Sequence, residues 1–103
     1  MNRSYVLSQA ADSDLEAIVR YTRDQWGAAQ ARHYAATLRR GIERLASGAP
    51  PFRQASERHP ALRVARCEHH FIFCLPQEEG PALIVAILHK RMDLIARVAA
   101  RLE

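Results

Sequence analysis

A chain of 103 residues is long enough for one compact hydrophobic core and too short for a catalytic domain with a separate regulatory one. Apolar residues make up 49% and charged residues 25%, which excludes a disordered chain, and no apolar run approaches the roughly 20 residues that a membrane-spanning helix needs. The formal charge of +4 and the pI near 9.7 point to an acidic partner: nucleic acid, an acidic protein segment, or a protein already sitting on DNA.

The N-terminus lacks a basic region followed by an apolar stretch, so the chain is expected in the cytoplasm. Two cysteines without framework spacing fit a reducing compartment, where buried thiols behave as small hydrophobes. Fourteen of the fifteen basic residues are arginine, whose planar fork suits carboxylates and phosphates; genome base composition produces the same bias.

Arg3 to Leu7, with Tyr5, Val6 and Leu7, reads as a short strand, and Ser8 as the N-cap of a helix. Ala11, Leu15, Ile18, Val19, Thr22 and Trp26 recur at helical spacing, while Asp12, Asp14 and Glu16 complement the dipole at the start, so helix one is predicted over Gln9 to Trp26. Gly27 ends it. A second helical pattern begins at once with Ala31, Tyr34, Ala35, Leu38, Ile42 and Leu45 and stops at Gly48, so the two helices must fold back as an antiparallel hairpin. Arg32, Arg39, Arg40 and Arg44 fall away from that apolar stripe and form a basic outer face.

Ala49 to Pro60, with three prolines among polar residues, reads as an irregular surface connection. Beyond it come three strands, Leu62 to Arg66, His69 to Leu75 and Ala82 to His89, joined by short turns into an antiparallel meander. Ala82 to Leu88 is apolar at every position, as a strand covered on both faces should be. Asp93 to Leu102 reads as a short C-terminal helix, and no repeat interrupts the series. The expected architecture is α+β: an N-terminal strand, a helical hairpin packed on an antiparallel meander, and a short C-terminal helix, all in one domain over residues 1–103.

The stretch "ARCEHHFIFC" concentrates both cysteines and two of the five histidines within ten residues. Strand alternation puts His69, Phe71, Phe73 and Leu75 on one face and His70, Ile72 and Cys74 on the other. Cys67 and Cys74 are then roughly 15 Å or more apart along extended chain at about 3.3 Å per residue, which zinc bonds of about 2 Å cannot bridge. No metal site is expected. Cys74, between Ile72 and Leu75, suits a buried thiol better than a nucleophile. The stretch is read as a hairpin whose aromatic face, Phe71 and Phe73, packs beneath the helices.

Three segments, "YVLSQAADSDLEAIVRYTRDQWGAAQARHYAATL", "ALRVARCEHHFIFCLP" and "VAILHKRMDLIARV", occur in an order that resembles the ParE branch of the RelE/ParE toxin superfamily over nearly the whole chain. The resemblance implies a type II toxin neutralised by a ParD-like antitoxin and acting on DNA gyrase by binding, with no cofactor. It places the activity in the C-terminal region, where Lys90, Arg91, Arg97 and Arg101 make a positive cluster.

RelE toxins, similar in fold, cut mRNA on the ribosome, which needs a general base, a general acid and cations around the phosphate. His89 with Arg63, Arg66 and Arg91 is the set this chain offers, but no tyrosine occurs after Tyr34, and RelE-like nucleases carry one near the C-terminus. A plain nucleic-acid-binding module ranks last, because no phosphate loop, zinc finger or recognition-helix arrangement is present and no sequence-specific contact is expected. A helical hairpin backed by a sheet exposes a groove suited to a segment that folds on binding, and Tyr21, Trp26, Tyr34 and Leu38 are its candidate antitoxin contacts, all four equally reasonable as core.

Overall fold

The computed structural model describes residues 4–89 and 94–102. Strand β1 (Tyr5–Leu7) leads through Ser8 into helix α1 (Gln9–Trp26). The Ser8 side chain accepts the Ala11 amide at 3.0 Å, the N-cap bond expected of it, and Asp12 lies in the positive first turn. Gly27, at φ +93, donates to the Arg23 carbonyl and its own carbonyl accepts from Ala31, so one residue both closes α1 and opens α2 (Ala28–Ser47). At the far end Gly48 adopts the left-handed conformation, its amide bonding Leu45 and the Ala49 amide bonding Arg44, which satisfies the last carbonyls of the helix.

The chain continues through strands β2 (Arg53–Ser56), β3 (His59–Cys67), β4 (His70–Leu75) and β5 (Ala82–His89), then α3 (Leu94–Leu102). The sheet order is β1-β5-β4-β3-β2, antiparallel throughout except for the parallel pairing of β1 on β5. The meander therefore forms as predicted and gains a strand: β2 lies in the segment read as an irregular connection, and β3 begins at His59 rather than Leu62. "RQAS" carries no apolar alternation because it is an edge strand with its first residues in water, so the pattern that marks a strand is absent from it.

Two cores sandwich the sheet. Ala11, Leu15, Leu38, Ile42 and Leu45 of the hairpin pack on Ile72, Cys74, Ala82, Ile84 and Ile87. On the opposite face Val98 of α3, flanked by Leu94 and Leu102, covers Leu62, Val64, Phe73, Val85, Ala86 and Leu88. The expectation that Phe71 and Phe73 lie beneath the hairpin is therefore reversed: Ile72 and Cys74 do, and the phenylalanines face α3. The physical reason is at Gly41, where α2 comes so close to β3 that a Cβ would stand 3.0 Å from Cys67 Sγ and 3.2 Å from Ile72 Cδ1. That spacing suits thiols and aliphatic groups, and the bulky rings take the face covered by a single short helix.

A bulge in β5 completes the frame. Phe73 pairs with Ala86 but Cys74 pairs with Ile84, so Val85 is an extra residue and both Val85 and Ala86 turn to the α3 side. The pairing of β1 with this edge of β5 stops at Leu7. Side chains replace the missing strand: Asp14 accepts the Ile87 amide at 2.9 Å, and the Val85 carbonyl accepts from Ser8 Oγ at 3.3 Å and from Arg101 at 3.1 Å. No helix among the described residues is long and apolar enough to cross a membrane.

Candidate functional site

At the Gly27 end of the hairpin a groove of about 980 Å³ opens between the two helices and the adjoining ends of β4 and β5. One wall is Tyr21, Thr22 and Trp26 of α1, the other His33, Tyr34 and Thr37 of α2, and the floor holds a histidine cluster from β4 and β5. Tyr21 is 65% exposed and Trp26 72%, which is unusual for residues of their size and leaves two rings open to a partner.

The turn from β3 to β4 sets the floor. Glu68 takes a positive φ of 55, a strained conformation for a side chain-bearing residue, and this aims the His69 amide at the Tyr34 oxygen, 3.3 Å away. The same Tyr34 hydroxyl is hydrogen-bonded to His70 Nδ1, 2.7 Å away, which ties α2 to the start of β4. His70 also meets the edge of His89, ring centroids 5.5 Å apart. Burial, reinforced by the neighbouring His89 and His69, lowers the His70 pKa to about 4, with distant Asp14 acting weakly the other way. Burial likewise raises the Tyr34 hydroxyl above its ordinary value, against the His69 hydrogen bond. His70 and Tyr34 are thus a neutral, hydrogen-bonded pair beneath an aromatic rim at neutral pH.

Of the four candidate groove residues, Tyr21, Trp26 and Tyr34 line it together, whereas Leu38 is 0% exposed and belongs to the core under the hairpin. Leu38 falls one turn beyond Tyr34, where α2 has already closed onto the sheet.

The C-terminal cations also separate. Lys90 and Arg91 lie outside the described residues. Arg97 is exposed on α3. Arg101 is not a free surface charge: its guanidinium grips Asp14 with both nitrogens, at 2.6 and 3.0 Å, while donating to the Val85 carbonyl. Hydrogen bonding to Asp14 raises its pKa further, against partial desolvation. Periodicity marks Asp14 only as a helix-dipole residue, because a partner 87 positions away leaves no local signal.

Arg91 of the ribonuclease set lies outside the described residues, and the described members do not converge. His89 is in the groove, but Arg63 reaches under the end of α2, donating to the Leu45 carbonyl at 3.2 Å and resting 4.8 Å from the Phe52 ring centroid. Arg66 alternates to the α3 side of β3 and donates to the Glu68 carbonyl. His69 and His70, ligand types by their chemistry, serve instead as the groove floor; among the described residues no three His, Cys, Asp or Glu groups cluster as a metal site would require.

The fold, the groove and the α3 clamp set the comparison with known proteins. The family model for the ParE toxin of the type II toxin–antitoxin system parDE matches residues 5–94. The chain belongs to the ParE toxin family. Toxin ParE of Escherichia coli is 59% identical over 100 residues, 97% of either chain. Toxin ParE1 of Mycobacterium tuberculosis H37Rv is 36% identical over 94 residues, 91% of this chain and 96% of that one. A solved chain from the chromosomal ParDE system of P. aeruginosa superposes with a TM-score of 0.68 at 19% identity, covering 84% of this chain and 94% of that chain, so the fold is shared well beyond recognisable sequence. In this ParE-family toxin, the groove at the hairpin end is the larger of the two recesses beside α2, and the Asp14–Arg101 clamp is what fastens α3.

Proposed function

We propose that this ParE-family toxin arrests growth by binding DNA gyrase, not by cutting RNA, and that a ParD-like antitoxin neutralises it by laying an amphipathic segment into the aromatic groove. The observation that supports the binding-inhibitor reading is the dispersal of cations among the described residues: Arg63 caps a helix, Arg66 lies on the other face of the sheet from His89, and Arg101 is paired with Asp14. Phosphoryl-transfer catalysis needs such charges aimed at one phosphate. A binding inhibitor needs only a rigid surface, and the chemistry comes from the target.

The exposed Trp26 and Tyr21 support the antitoxin half, since large rings that give area at low entropic cost are the anchors of protein interfaces. Purified gyrase, supercoiled plasmid and ATP provide the test: the toxin is expected to accumulate cleaved gyrase–DNA complexes, and supercoiling that proceeds unaffected at excess toxin would count decisively against it. The position of His89 against His70 and Tyr34 is the one feature that favours a RelE-like ribonuclease. Codon-positioned mRNA cuts on ribosomes that vanish in His89→Ala would establish that alternative.

A further inference from the structure

A second recess, of about 230 Å³, lies between α2 and β3, floored by Ala65, Cys67 and Ile72 and rimmed by Arg40 and Arg44. Its size falls below the roughly 300–1,000 Å³ of small-molecule sites, so it suits one anchoring side chain and not a whole ligand. It is continuous with the aromatic groove, because Thr37 lines both. Tyr34, Thr37, Gly41 and Arg44 run along one edge of α2, about 15 Å at 1.5 Å per residue, a length covered by about five residues of extended chain.

The charge at this rim is mostly positive, Arg40, Arg44 and Arg66 lining the cleft with Glu68 nearby. Arg40 donates to Thr37 Oγ1 and Arg44 to the Pro50 carbonyl, one hydrogen bond from each five-donor guanidinium, and among the described residues neither has a carboxylate within ion-pairing distance. Burial and then the Glu68 carboxylate raise the pKa of the Cys67 thiol while Arg40 opposes them more weakly, so both charges stand near the mouth of the recess.

We propose that this cleft docks an acidic segment of the antitoxin, one apolar side chain entering over Ile72 while flanking carboxylates pair with Arg40 and Arg44. The inference rests on the groove being the antitoxin's site for its choice of partner, and it extends the footprint along α2. A peptide fits better than nucleic acid: the floor is apolar, no aromatic ring among the described lining residues can stack a base, and the three arginines, Arg40, Arg44 and Arg66, gather around one apolar cleft rather than run in a phosphate-tracking stripe.

The test uses the full-length, isotopically labelled toxin and a defined probe, the peptide Ac-EELEE-NH2, followed by amide NMR shifts. Saturable shifts are expected at Gly41, Ala65, Cys67 and Ile72, with binding weakening by about tenfold between about 50 and about 300 mM salt. The neutral Ac-QQLQQ-NH2 should bind at least about tenfold more weakly to the unaltered protein, a comparison that needs no variant to fold. Arg40→Gln/Arg44→Gln should show the same loss with an otherwise native spectrum. Equal binding of the two peptides, shifts confined to the aromatic groove or α3, or no shift at millimolar peptide would overturn the proposal, as would duplex DNA moving the same amides at lower concentration. Because the probe has nothing for the aromatic groove, the amides of Tyr21 and Trp26 should not move with it, so the cleft and the groove can fail separately.

Discussion

The two faces of the sheet are held by different physics. Under the hairpin, ten buried residues from both helices and the strands interlock without a charge among them, and the helices stay together by apolar area. On the other face one nine-residue helix rests on the sheet through Val98, Leu94 and Leu102, and a partly buried ion pair ties its last turn to α1. A two-helix lid has area enough to hold while leaving a groove open at one end; a one-helix lid has less area and is also pinned electrostatically.

The sharpest way to break the hairpin face is Leu38→Ala, which empties a fully buried site and should cost about 3–4 kcal/mol in urea unfolding. Near-zero loss would mean that the apolar interlock is not what carries that side. On the α3 face Asp14→Asn leaves Arg101 without its counter-charge and weakens the bond to the Ile87 amide. The expected loss is about 2 kcal/mol, below that of fully buried pairs because the guanidinium still meets water. Hydrogen exchange should quicken in α3 well before it does in α2; uniform acceleration would show that the pair does not act locally.

Acid acts on the hairpin face through His70. Its folded pKa, about 4, lies below the unfolded value near 6.5, so the unfolded chain binds the extra proton first. The stability that comes from keeping His70 neutral is complete above about pH 6.5 and is lost as the pH falls toward 4, amounting to about 2 kcal/mol between pH 7 and 5. His70→Gln should flatten that part of the pH profile; an unchanged slope would move the proton uptake elsewhere. Smallest in stability is Trp26→Ala, within about 0.5 kcal/mol because the ring is in water, yet it should weaken antitoxin binding by about 30-fold or more in calorimetry. Undiminished affinity would remove the groove from the interface.

The contrast between the faces also marks how much of the molecule is legible in the chain. Both helices, their Ser8, Gly27 and Gly48 boundaries and the three-strand meander are set by local periodicity and capping, which act within a few residues. β2 leaves no such mark because an edge strand in water carries no apolar alternation. The apolar run of β5 hides its bulge, since a strand hydrophobic at every position does not reveal where the alternation skips. Tyr21, Trp26 and Tyr34 are legible as aromatic candidates, but helical spacing alone assigns Leu38 to the same stripe, and only the closing of α2 onto the sheet separates buried from open.

Sequence by itself therefore determined the two long helices, the three-strand meander, their order and the family resemblance, because caps, turns and hydrophobic periods are short-range signals written in consecutive residues. Tertiary structure alone decided which face of β4 met the hairpin, that Arg101 is a clamp, and that Tyr34 and His70 are hydrogen-bonded beneath an open groove. Each of the last two depends on groups 36 to 87 positions apart being brought within hydrogen-bond distance, and nothing local in the chain encodes such a meeting.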